Sequence, residues 1–190
     1  MIQRGTSSGP RQAASETEAE LQRATAAINL GRPEDGERFA RNVLAGIPQH
    51  PQALHLLGCA LLQQNRAAQA VAPLERAARA LQDPAVETQL GIALREIGRT
   101  DDALLRLRRA IKRRPAHPEA FHELGFLLSS LGRADEAVTA VEHGLLLAPG
   151  ENWTWVIVGG HESRDACEQA RDTRLDGDRL VCASISRPTS

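Results

Sequence analysis

Few side chains in this chain are of a type and spacing that could do chemistry. His55 and Cys59 lie four residues apart, which on a helix would put two metal ligands on one face. A closed site needs about four ligands, and no third or fourth stands in register, so no metal and no cofactor is expected. His50-Pro51 and His117-Pro118 read as turn chemistry, each proline pre-set for the first turn of a following helix. Arg106, Arg108, Arg109, Lys112, Arg113 and Arg114 form the one charge run. It lacks the interleaved aromatics that single-stranded nucleic acid stacks on. It is expected to face solvent near a helix C-terminus, where the dipole suits cations. No Ser-His-Asp set, carboxylate pair or glycine-rich phosphate loop stands at a workable spacing. The chain is therefore expected not to be an enzyme.

Composition points the same way. Of 190 residues 42% are apolar but only 3% aromatic, with no tyrosine, so the core must be built from Leu, Ala, Val and Ile. Such side chains suit closely packed helices. A net charge of −1 argues against a nucleic-acid or membrane-surface partner. Cys59, Cys167 and Cys182 make no CxxC pair, which argues against a disulfide framework and for a reducing compartment. No apolar run approaches the roughly 18–20 residues that span a bilayer, and none at the N-terminus resembles a signal sequence. The expectation is a cytoplasmic protein without a membrane partner.

The elements that would position these residues come in pairs. Residues 1–14 lack periodicity and are expected to be disordered. Order is expected from Ser15, where Ser15-Glu16-Thr17-Glu18 fits a capping box. Breaks follow at Gly31 and Pro33, at Pro48 and Pro51, at Asn65, at Asp83-Pro84, at Gly98, at Pro115, at Gly132 and at Pro149. Asp83 and Thr100 are expected to cap helices. Gly58, Gly91 and Gly125 recur at intervals of 33 and 34 residues, and Ala70, Ala103 and Ala137 repeat both intervals. A period of this size means stacked helical hairpins. The small residues are expected where paired helices approach most closely, because a larger side chain there would force them apart.

These residues resemble the tetratricopeptide repeat family. Repeats at 17–50, 51–83, 84–117 and 118–151 place large, small and proline residues at that family's positions, over most of the chain. The first departs most, with Arg23-Ala24 for Leu-Gly and Gly36 for Ala, as an end unit can. The resemblance implies an all-α fold, a right-handed α-α superhelical solenoid with a C-terminal capping helix. Trp155, Val158 and Gly159 continue the register, so 152–172 is expected to be a partial fifth repeat or the cap, and 173–190 a disordered tail. Two alternatives stay open for this end. One is an unpacked tail left by a truncated frame. The other is a strand over Trp155–Gly159 entering a phosphate-binding turn, as in repeat-bearing sulfotransferases, although the residues of that turn are missing.

The resemblance further implies a non-catalytic protein–protein interaction scaffold, whose groove is lined by the first helix of each repeat. Carried over, the lining is Leu21, Gln22, Thr25 and Asn29 in the first repeat, and Gln52, His55, Cys59 and Gln63 in the second. Thr88, Gln89, Ile92, Arg95 and Glu96 follow from the third, and Glu119, His122, Glu123, Phe126, Ser129 and Ser130 from the fourth. A polar groove with the apolar anchors Leu21, Ile92 and Phe126 suits a peptide or partner protein. Leu21 and Thr25 replace two members of the clamp by which some relatives hold chaperone tails, so no such binding is expected. An alternative is the adaptor segment of a repeat-bearing sulfotransferase or glycosyltransferase whose catalytic part is absent. Self-association is a further expectation, since a solenoid has no intrinsic stop.

Overall fold

Among the described residues, proline opens five of eight helices, and a glycine bend follows three of them. The computed structural model describes residues 10–114, 117–147, 153–156 and 183–185. Among them are α1 (Pro10–Asn29), α2 (Pro33–Gly46), α3 (Pro51–Gln63), α4 (Ala67–Ala80), α5 (Pro84–Glu96), α6 (Thr100–Lys112), α7 (Pro118–Ser130) and α8 (Ala134–Leu147). Within each pair the bend is a residue in the left-handed region: Gly31, Asn65, Gly98 and Gly132, with φ between 58° and 77°. Only glycine, and at some cost asparagine, takes this conformation readily, which is why those types stand there.

The caps follow the expectation in part. Asp83 Oδ1 accepts the Ala85 N–H at 2.8 Å, and His50 Nδ1 accepts the Ala53 N–H at 3.3 Å, so this histidine serves the turn. Thr100 is not a cap. The left-handed Gly98 lets the Arg99 N–H bond back to Leu94 O, which leaves Arg99 as the last residue before α6. The capping box at Ser15 is likewise overridden, because α1 already begins at Pro10. A proline followed by Arg-Gln-Ala-Ala starts a helix readily, so order reaches into the stretch expected to be disordered. Residues 1–9 lie outside the described residues.

Two compact units divide the chain at Leu81. In unit one α1 packs on α2, α3 on α4, and α2 on α3, around Leu21, Ala24, Ile28, Ala40, Val43 and Ala53. In unit two α5 packs on α6, α7 on α8, and α7 on both α5 and α6. Val86, Leu90, Leu94, Leu107 and Val141 form the most deeply buried part of its core. The repeated small residues are where the helices touch. A Cβ on Gly91 would lie 2.8 Å from Leu107 Cγ, one on Gly125 2.6 Å from Val141 Cγ2, and one on Gly58 would run into Leu74. Ala70, Ala103 and Ala137 have no exposed surface. Gly36, the irregular residue of the first repeat, leaves room for Ile28 in the same way, at 2.7 Å.

Each unit also buries a carboxylate. Glu37 of α2 is 6% exposed and meets Arg41 at 2.6 Å, Arg66 at 2.8 Å and Gln64 at 2.7 Å, tying α2 to the α3–α4 bend. Glu87 of α5 is 3% exposed and draws in Arg106 at 3.3 Å and Arg113 at 3.8 Å. This corrects the solvated reading of the charge run. A buried carboxylate needs paired charge, so Arg106 and Arg113 are committed to Glu87, and Arg108 reaches Glu136 at 3.3 Å. Arg109, Lys112 and Arg114 remain exposed.

Beyond α8, β1 (Trp153–Val156) pairs antiparallel with β2 (Ala183–Ile185), with an irregularity in register. The structure thus has a strand where a capping helix was expected from 152, and a paired segment inside the expected tail. Trp-Thr-Trp-Val is rich in β-formers, and that local preference prevails over the repeat register. The remaining residues of 152–190 lie outside the described residues. Among the described residues no helix is long and apolar enough to cross a membrane.

Candidate partner-binding surface

The first helix of each hairpin carries the expected lining, and the two units present different chemistry. In unit one Gln22, Asn29, Gln52 and Gln63 are exposed. Glu18, one turn before Gln22, accepts a bond from its amide at 3.2 Å. It stands at the second position of its repeat, so the register itself would have found it. Thr25 is half-buried and donates to Leu21 O at 2.9 Å. Cys59 packs against the core, and His55 is also half-buried.

The fifth position of the repeat is the main correction. Leu21 is 2% exposed, Thr88 is fully buried and His122 is 7% exposed, so none of these three is offered to a partner. Thr88 Oγ1 satisfies itself on Pro84 O one turn back, at 2.7 Å. His122 fills the space left by Gly144 of α8, where a Cβ would meet its Nε2 at 2.7 Å. Burial, with a smaller contribution from His117, lowers the His122 pKa to about 4. The ring is neutral near pH 7, and it acts as packing. The fifth position turns inward, toward neighbouring helices.

The remaining unit-two residues converge. Gln89 Nε2 donates to Glu119 Oε2 at 3.5 Å, and His117 Nε2 lies 3.2 Å from the same oxygen. Arg95 Nη2 meets Glu123 Oε2 at 3.4 Å, while its Cζ sits 5.1 Å from the centre of the Phe126 ring. Phe126 is nonetheless 45% exposed. Ile92 is half-buried at the equivalent repeat position of the adjacent helix, Glu96 is exposed, and so is Ser130, whose hydroxyl bonds to Leu127 O at 2.8 Å. Ser129 is half-buried. Burial raises the Glu123 pKa; Arg95 opposes this, and Glu119 and Glu96 add to it by repulsion. The arrangement can stack an apolar group and attract a cation. Among the described residues no group of three or more His, Cys, Asp or Glu is placed to hold a metal.

The sequence did not reveal the clefts on the second-helix side. One of about 610 Å³ lies between α6, α7 and α8, floored by Phe121, Leu124, Leu128 and Ala140. Phe121 and His143 approach there at 6.0 Å between ring centres. Its counterpart between α2, α3 and α4 is about 350 Å³. Arg76 at its edge bonds to Pro48 O at 2.5 Å.

Two family models, each described as tetratricopeptide repeat, match residues 21–84 and 94–153. No curated relative matches the chain. Among solved structures, a MamA protein from Desulfovibrio magneticus is similar at a TM-score of 0.62 and 22% identity, over 74% of this chain and 80% of that one. A thermophilic repeat protein of Thermus thermophilus, TTC0263, is similar at 0.63 and 22%, over 74% and 78%. An O-GlcNAc transferase mutant from Thermobaculum terrenum is similar at 0.62 and 25%, over 68% of this chain but 26% of its own.

Proposed function

Since the chain belongs to the tetratricopeptide repeat family, whose repeats serve generally as protein-interaction scaffolds, we propose that it holds a peptide segment of a partner protein on the exposed faces of its first helices. The observation that carries this reading is Phe126. A phenylalanine 45% exposed in mid-helix, with a guanidinium on its ring, brings together two residue types enriched at protein interfaces. Ile92 on the neighbouring helix extends the apolar strip. The buried polar groups are absorbed into packing, as Thr88 and His122 demonstrate, so recognition falls to the exposed and half-exposed residues.

The test compares affinity capture by the full chain, by an Ile92→Ser, Phe126→Ala variant, and by an Arg109→Ser, Lys112→Ser control on α6. Partners retained by the control and lost by the first variant support the reading. Equal recovery by all three sinks it.

A second reading has its own observation, the likeness to about a quarter of a transferase chain. On that reading these repeats are the recognition segment of a repeat-bearing enzyme. A reading frame that continues past Ser190 into a transferase-like sequence supports it, and a stop codon there removes it.

A further inference from the structure

The α5–α7 face combines an exposed apolar strip with an uneven distribution of charge. Phe126 is 45% exposed, and Ile92 stands at the same repeat position on the packed neighbour α5. Among the described residues, the guanidinium at the strip, that of Arg95, is already committed, to Glu123 at 3.4 Å and to the Phe126 ring. Around it stand three carboxylates, Glu96, Glu119 and Glu123. Glu119 is met by a neutral amide and by His117, and Glu96 is exposed at the end of α5. We propose that this face binds a peptide segment that lays an apolar side chain on Phe126 and Ile92 and presents basic side chains, lysine or arginine, one toward Glu119 at the start of α7 and one toward Glu96 at the end of α5. The inference rests on the partner-binding reading above and adds the chemical class of the partner.

Three physical points favour a cationic occupant over an acidic or neutral one. First, an arriving carboxylate would meet Glu96, Glu119 and Glu123 while Arg95 is already in use, and juxtaposed like charges oppose association. Second, the Phe126 ring already receives a guanidinium on one side, and the electron-rich ring face attracts cations wherever it is accessible. Third, repulsion from Glu119 and Glu96 helps to hold the Glu123 carboxyl above the usual carboxylate range, after the larger effect of burial. A cation placed among these groups relieves that repulsion.

The experiment is selection of a random phage-displayed dodecapeptide library on the immobilised full chain, followed by synthesis of the enriched consensus. The expected consensus places Lys or Arg next to Leu, Ile, Met or Phe. Its affinity should fall roughly ten-fold or more on Phe126→Ala, and similarly on Glu96→Gln, Glu119→Gln. These side chains are exposed or half-exposed, and circular dichroism of each variant checks that the fold is kept. A neutral or acidic consensus still lost on Phe126→Ala overturns the charge assignment and leaves the partner-binding reading standing. A consensus indifferent to Phe126→Ala, or no enrichment at all, overturns both.

Discussion

Gly91→Ala tests the packing that spaces the helix carrying Ile92 and Arg95. In an open helix this change stabilises by about 1 kcal/mol, because alanine loses less backbone entropy. Here the new methyl would sit 2.8 Å from Leu107 Cγ and 2.9 Å from Cδ2, against an optimal carbon–carbon separation of roughly 3.5–4.0 Å. Leu107 has no exposed surface and cannot swing aside, so α5 and α6 must part by something under an ångström. Overpacking of this kind costs about 1–3 kcal/mol, which outweighs or cancels the propensity gain. The net expectation is a destabilisation of roughly 1 kcal/mol, with 2 as the upper end. Urea unfolding followed by circular dichroism measures it, in a double-mutant cycle with Leu107→Ala. That truncation alone costs about 2–5 kcal/mol, but in the Gly91→Ala background it also removes the clash. The double variant should therefore be more stable than additivity predicts by about 1–3 kcal/mol. Gly46→Ala, with nothing within 4 Å of its would-be Cβ, is the control and should be neutral or stabilising. If Gly91→Ala is stabilising by the full propensity gain, or the cycle is additive, the close-approach argument is wrong.

Glu87→Ala leaves Arg106 and Arg113 without their buried partner. Because those two side chains are 26% and 30% exposed, the cost should be about 2–3 kcal/mol, below the 3–5 of a fully buried pair. Glu136→Ala, in the half-exposed pair with Arg108, should cost under about 1 kcal/mol by the same urea assay. Equal costs would refute the distinction. His122 sets a pH dependence: its folded pKa is about 4, below the ordinary 6.5 of the unfolded chain. Between those values the unfolded state binds more protons, so stability is fully present above pH 6.5 and is lost as the pH falls toward 4. The loss should stay under about 3 kcal/mol, because solvent screens part of the shift. An NMR titration of the His122 ring and urea curves at several pH values check it, and a ring that titrates near 6.5 would refute the burial argument.

The hairpin architecture was legible because it rests on residues whose chemistry is local. A left-handed bend admits little besides Gly31, Asn65, Gly98 and Gly132, and a crowded helix contact admits little besides Gly58, Gly91 and Gly125. Where the sequence misled, two local signals competed. Thr100 has the right side chain for a cap, but Gly98 closes the preceding helix early enough that Arg99 takes the place. Trp153–Val156 sits in repeat register, yet its residues prefer an extended backbone and pair with Ala183–Ile185.

The candidate surface was legible as a set of positions but not as a set of exposures. Register states which helix face a residue shares; it does not state how far the neighbouring helix covers that face. The fifth position illustrates this, since Thr88 vanishes against its neighbours and His122 sinks into the space above Gly144. No one-dimensional pattern distinguishes them from Gln89 or Glu123, each one residue on. The charge run failed for the opposite reason: Arg106 and Arg113 are long enough to reach a carboxylate on another helix, Glu87, a partner that helical periodicity does not weigh. Once these residues are assigned to packing, the unit-two face reduces to Ile92, Arg95, Glu96, Glu119, Glu123 and Phe126. There Arg95 both neutralises Glu123 and covers one side of Phe126. Removing that one side chain would therefore expose more aromatic surface and leave the face more negative. A cationic peptide should bind such a variant at least as well as the parent, and an acidic one should bind it worse, so Arg95→Ala separates the two partner chemistries by sign.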